Sequence, residues 1–147
     1  MKRLIVAMLL VALPAAVHAE TFTFKSTSKL ISNLIVPAQT AGGKPSGGGM
    51  STITTDATYA DGKKLTNTGQ CVQWILPPGD QFGSTTMCKY SDASGDLYLA
   101  RTTCENPGPT SACWGKLTGL GGAFKGRTGA YSLPNAQGGV GTGFWSN

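Results

Sequence analysis

Met87-Cys88-Lys89-Tyr90-Ser91-Asp92-Ala93-Ser94-Gly95-Asp96-Leu97-Tyr98-Leu99-Ala100-Arg101-Thr102-Thr103-Cys104 is the stretch whose reading decides the fold. Two β-prone runs flank Asp92-Ala93-Ser94-Gly95-Asp96, a cluster of turn formers, so the segment reads as an antiparallel hairpin. Asp92, Gly95 and Asp96 are its structural residues. The same aspartates could suggest a calcium loop, but the further oxygen ligands and the distal glutamate of an EF-hand are absent. Leu97 and Leu99 alternate with Tyr98 and Ala100, so the returning strand is apolar on both faces. Such a strand needs cover on both sides, from the amino-terminal segment or from a second subunit in a homo-oligomer.

Working outward, short β-prone runs recur at Thr21-Phe22-Thr23-Phe24-Lys25, Thr52 to Thr55, Cys71 to Leu76, Cys113 to Thr118, Ala130 to Leu133 and Val140 to Trp145. Turn signals separate them, among them Asp61-Gly62 and many of the 21 glycines. Regular short strands with such punctuation imply an all-β sandwich or barrel, and we expect a small antiparallel β-barrel of about eight strands. Leu30, Ile31, Leu34 and Ile35 recur at helical spacing before Pro37, so Lys29 to Val36 fits either a helical turn or a second strand. Ala41 to Gly49 reads as a mobile glycine-rich loop. Its Gly43-Lys44 is followed by Pro45 where a phosphate loop needs Ser or Thr.

The amino terminus carries Lys2 and Arg3, an apolar run from Leu4 to Leu13, and Val17-His18-Ala19 at a plausible cleavage point. This is the plan of a secretory signal, so residues 1–19 are expected to be a signal peptide, helical while attached, and 20–147 a single β-barrel domain. The apolar run is too short to span a bilayer, so no transmembrane segment is expected after cleavage, and the localisation is secreted or periplasmic. Cleavage lowers the formal charge from +5 to +3 and removes His18, the only histidine. A mature chain without histidine cannot use Ser-His-Asp or Cys-His catalysis, or His-ligated metal. The remaining lysines and arginines are dispersed, with no nucleic-acid module, so no nucleic-acid partner is expected.

Four cysteines in an exported chain imply two disulfides, with three connectivities open. The midpoint of Cys71 and Cys88 falls in Pro77-Pro78-Gly79-Asp80, and that of Cys104 and Cys113 in Asn106-Pro107-Gly108-Pro109. Each pair would then close its own hairpin, which favours Cys71 with Cys88 and Cys104 with Cys113. A Cys88 to Cys104 pair is centred less well, on Asp96. No Cys-x-x-Cys spacing supports a redox or metal site.

Gly119-Leu120-Gly121-Gly122-Ala123-Phe124-Lys125-Gly126-Arg127-Thr128-Gly129, preceded by the Asp92 to Asp96 turn and followed by Gly143-Phe144-Trp145, resembles the allene oxide cyclase-like barrels, a superfamily that includes dirigent proteins. The resemblance covers about the last 60 residues. It departs at Gly121 and Ala123, where the family usually has Thr and a basic residue. It implies an eight-stranded barrel able to hold an apolar small molecule, and no catalytic set carries over. Independently of the family, the closely spaced glycines, Gly119 and Gly122 among them, supply positive φ or close approach at a sharp bend, with Phe124 as an apolar plug near that corner and Gly126 and Gly129 beginning the next turn.

Candidate ligand-binding residues are Trp74, Tyr90, Tyr98, Arg101 and Trp114. Each has a structural alternative. Trp74 between Val72 and Leu76 reads as core, Trp114 beside Gly115 could border a cavity, and either could be a stacking platform for a ring or sugar. Tyr90, Tyr98 and Tyr131 lack an identifiable neighbour to tune them as acids. Asp96 and Arg101 lie on opposite faces of an ideal strand and do not converge without a bulge. No catalytic or metal residues and no cofactor are assigned. The expected function is binding of a small apolar or aromatic ligand. The alternatives are a non-enzymatic envelope or extracellular interaction protein, and a cyclase- or dirigent-like steering enzyme.

Overall fold

The computed structural model describes residues 19–38, 45–77, 80, 82–105, 111–134 and 139–147. It holds β1 (Glu20–Val36), β2 (Ser46–Tyr59), β3 (Lys64–Ile75), β4 (Phe82–Asp92), β5 (Gly95–Glu105) and β6 (Cys113–Gly119), then a 3-10 turn (Gly122–Phe124), β7 (Thr128–Leu133) and β8 (Gly141–Ser146). Each strand pairs antiparallel with the next and β8 returns to β1, so the sheet closes as an eight-stranded barrel. Closure removes most of the unpaired edges that an open sheet would expose. The helical leader expected over residues 1–19 and the Asn106 to Pro109 turn lie outside the described residues, apart from Ala19.

Four cross-strand pairs explain part of the glycine content. Gly69 lies opposite Tyr90, Gly115 opposite Tyr131, Gly141 opposite Phe24 and Gly143 opposite Phe22. In each pair an added Cβ would run into the facing ring. The glycine is therefore a slot that lets an inward aromatic lie flat against the neighbouring strand, and the ring shields the glycine backbone in return. Small and large residues thus alternate around the wall, as a narrow barrel requires.

Three expectations are corrected. Lys29 to Val36 is neither a helical turn nor a separate strand but the far half of β1, paired with Ser46 to Thr52. A register shift between Leu30 and Ser32 moves the alternation by one residue, and this bulge produces the spacing that imitates a helix. Gly47, Gly48 and Gly49 belong to β2 rather than to a loop; side chains at Gly47 and Gly49 would meet carbonyls of β1. Leu97 needs no second subunit or amino-terminal cover. The ladder jumps from Tyr90↔Tyr98 to Ser91↔Asp96, leaving Leu97 as the extra residue of a bulge, so it and Tyr98 are both buried in the core.

The glycine cluster after β6 builds the floor of the barrel. Gly122 and Gly126 take positive φ of 53° and 77°. The chain can therefore fold back, and the amides of Leu120 and Gly121 donate to the Leu97 carbonyl. Phe124 is carried under the barrel against Trp145 at 4.8 Å and Tyr98 at 5.1 Å between ring centroids. Gly129 lies within β7 and not in the following turn. Beneath this floor Arg127 bridges to Glu20 at 2.8 Å and sits 5.8 Å from the Trp145 ring.

Candidate functional site: the barrel lumen

Strand alternation fixes what the lumen contains. The two cysteine pairs are direct cross-strand neighbours, Cys71 opposite Cys88 and Cys104 opposite Cys113. Both pairs are disulfide-bonded, with Cα atoms 4.1 Å and 4.0 Å apart. The expected connectivity is therefore the one present, and two structural disulfides are the chemistry of an oxidising environment. All four half-cystines point inward. On β3 the inward set is then Asn67, Gly69, Cys71 and Gln73, and Trp74 faces out.

Above the aromatic floor the lumen holds a cavity of about 420 Å³ that opens between the ends of β3, β4, β5 and β6. Its walls are mixed. Phe24, Ile53, Ala57, Ala100, Leu117 and Leu133 supply apolar surface. Between them hydroxyls form short chains: Ser26 to Thr55 at 3.0 Å, Thr55 to Tyr90 at 3.1 Å, and Thr102 to Tyr131. The Asn67 amide donates to the Tyr98 hydroxyl at 3.3 Å in a buried contact. Tyr90 and Tyr98 stack at 4.5 Å between centroids.

All four tyrosines of the chain, Tyr59, Tyr90, Tyr98 and Tyr131, line this cavity. Burial is the main cause that raises each phenol above its ordinary value of 10.0. Glu20 adds to the rise at Tyr59, and Tyr90 adds to it at Tyr98 and Tyr131. Tyr131 is pushed up to about 12. At neutral pH every phenol is protonated, so the lumen offers neutral O–H groups that donate and accept. Among the described lining residues Glu105, at the rim, is the one other ionisable group, and its carboxylate accepts from the Ala112 amide at 3.1 Å. A wall of this kind suits an uncharged guest with apolar surface and a few polar atoms.

Of the expected ligand-binding residues, Tyr90 and Tyr98 are in the lumen while Trp74, Arg101 and Trp114 are on the outer wall. Trp74 is 51% exposed, which corrects its placement in the core. The cause is parity: Cys71 is inward, and a residue three positions along the strand must point the other way. Trp114 follows inward Cys113 and leans on Phe82 at 5.7 Å instead of bordering the cavity. Arg101 stands opposite Met87 and Lys116 on the outside. Asp96 turns to Lys89 at 3.2 Å and Ser91 at 2.9 Å. Asp92 accepts from the Ser94 amide and hydroxyl, closing the hairpin turn at Gly95, whose φ is 125°.

Asn67, Thr86, Thr102, Tyr59 and Tyr131 complete the polar wall and were not assigned to a site from the sequence. For Asn67, Thr86 and Thr102 the available signal was the inward parity set by the cysteines on β3, β4 and β5, whereas the strands of Tyr59 and Tyr131 hold no cysteine to count from. A wider, open depression of about 730 Å³ is lined by Thr23, Thr142 and Phe144 together with Phe22, Tyr59 and Tyr131. It is the more open of the two, and the lumen is the better-enclosed site. Among the described residues no group of three or more His, Cys, Asp or Glu side chains could hold a metal. Neither protein-family models nor curated proteins provide a match to this chain.

Proposed function

We propose that the protein is an exported carrier or sensor that binds a small, uncharged apolar or aromatic molecule in the barrel lumen. The observation that carries this reading is the open cavity of about 420 Å³ above the aromatic floor, with hydroxyl chains set into apolar walls. A cavity of that size falls within the range of small-molecule sites. The two disulfides and the signal-like leader support action outside the reducing cytoplasm. The resemblance to allene oxide cyclase-like barrels supports the same reading, since it implies an eight-stranded barrel with an apolar pocket. The phenols are the site's own polar groups. Held neutral, they orient a guest by hydrogen bonds rather than transferring protons at neutral pH.

The test is occupancy of the lumen. Native mass spectrometry of protein purified from its expressing cells should show a co-purifying neutral molecule, or a neutral naphthalene-type fluorophore should bind with a blue shift. Thr86→Phe fills the lumen from β4 and should abolish binding while the protein stays folded. A fluorophore that binds equally well to Thr86→Phe, or no binding by either protein, overturns the proposal. A second reading, a protein that works through surface contacts, is favoured by one observation: the exposed apolar end of β1.

A further inference from the structure

The barrel closes incompletely. β1 pairs with β8 only from Glu20 to Phe24, whereas it pairs with β2 from Phe22 to Val36. Among the described residues no strand lies against the other edge of β1 from Lys25 to Val36. This edge is about 40 Å long at the usual rise per residue. Its backbone donors and acceptors form a ready template for another strand.

The side chains along this edge divide into two parts. Lys25 and Lys29 charge the first part, which is how natural edges are usually kept from pairing. The second part lacks that protection: Leu30, Ile31, Leu34, Ile35 and Val36 are 61%, 57%, 74%, 42% and 43% exposed. Because of the bulge at Ile31, Leu30 opposite Ser51 and Ile35 opposite Gly47 lie on the same side of the ribbon, and Leu34 lies on the other. Apolar groups on both sides flank one unpaired backbone. A lipid surface would cover the side chains but leave the backbone groups unsatisfied, and a strand would satisfy both.

We infer that Leu30 to Val36 pairs antiparallel with the same segment of a second copy, forming a symmetric dimer through a continuous sheet. Leu30 and Ile35, both apolar and on one side of the ribbon, make the segment complementary to itself in antiparallel pairing. Partners across a two-fold antiparallel pair share a face, so the pairing centres on Asn33 with Ile31 as the bulge residue, setting Leu30 against Ile35 on one side of the ribbon and Ser32 against Leu34 on the other. Charge selects this register. It places Lys29 opposite Val36, whereas sliding the strands to centre on Thr27 would set Lys25 against Lys29 and repel. The chain has no acidic residue between Glu20 and Asp56, so nothing in the ribbon would neutralise such a clash. One strand pair is a small contact, so the dimer is expected to be weak and concentration-dependent. It lies outside the lumen and does not depend on the ligand reading.

Sedimentation velocity over a wide concentration range tests the inference, alongside hydrogen exchange. The wild type should pass from monomer to dimer, and amides of Leu30 to Val36 should gain protection as concentration rises. Leu34→Lys should raise the dissociation constant about a hundred-fold or more, because two copies of the change meet one interface. Leu30→Lys is the second variant, and unchanged thermal melting of both separates lost pairing from lost folding. A wild type that stays monomeric overturns the inference, including one that instead binds vesicles or another protein through this ribbon. So does a dimer that survives both substitutions or that leaves these amides unprotected.

Discussion

Raising the pH should unfold this barrel through its tyrosines. In the unfolded chain a phenol ionises near 10, whereas in the lumen burial holds Tyr131 up to about 12 and raises Tyr59, Tyr90 and Tyr98 in the same direction. The sign follows from linkage. Below pH 10 both states are protonated and the stabilisation is fully present; above it the unfolded chain releases protons that the folded barrel retains, so stability falls as pH rises. For Tyr131 alone, with one pH unit of difference worth about 1.4 kcal/mol, the loss reaches about 2 kcal/mol by pH 12. That is a sizeable part of the roughly 5–15 kcal/mol by which a domain is stable, and the other three phenols add to it. An alkaline titration read by phenolate absorbance and far-ultraviolet circular dichroism checks this. The absorbance should rise late and steeply, together with loss of the β signal. Tyrosines that ionise gradually near pH 10 with the β signal intact would show that the phenols are not buried as described, and the account of the lumen as a neutral hydroxyl wall would fall with it.

The remaining predictions concern the walls. Replacing both Cys71 and Cys88 by alanine should destabilise the barrel by about 3 kcal/mol, and replacing Cys104 and Cys113, which close a shorter loop, by slightly less; denaturant unfolding measures both, and equal stability with and without reductant would refute it. Gly141→Ala should cost about 1–3 kcal/mol because the new methyl displaces the Phe24 ring. Gly62→Ala, with φ 85° in open space, should cost about 1 kcal/mol or less through the backbone alone. Thermal melts of the two variants compare them, and an equal cost would remove the glycine slots as the explanation of the inner wall.

The hairpin, the strand class and the disulfide pairs were legible because they rest on local signals. Turn residues between β-prone runs locate Asp92 to Asp96, and turn positions centred between cysteines choose their partners. Side-chain facing was harder. Trp74 between Val72 and Leu76 looks like core when read alone, because all three residues share a face. The disulfide decides that this face is the outer one, and only after Cys71 and Cys88 are known to meet on the inner side of the wall rather than outside it. Bulges defeat the reading altogether. At Ile31 and Leu97 one extra residue resets the alternation, and a sequence with no partner strand in view carries no mark of where the count restarts.

The same dependence on partner strands explains why the site residues were read only in part. Tyr90 and Tyr98 stood out because they belong to the hairpin that could be recognised locally. Asn67 and Tyr131 reach the cavity from β3 and β7, and their roles arise from contacts to Tyr98 and Thr102. Neither contact lies within one hairpin. Phe22, Phe24, Tyr90 and Tyr131 each also need a glycine on an adjacent strand, and Phe24 finds Gly141 only because the last strand returns to the first. Chain closure therefore creates the lumen and its polar wall together. A substitution that weakens closure at β1 and β8 should loosen the cavity as well as the fold, since Phe22 and Phe24 line the cavity and are held by that pairing.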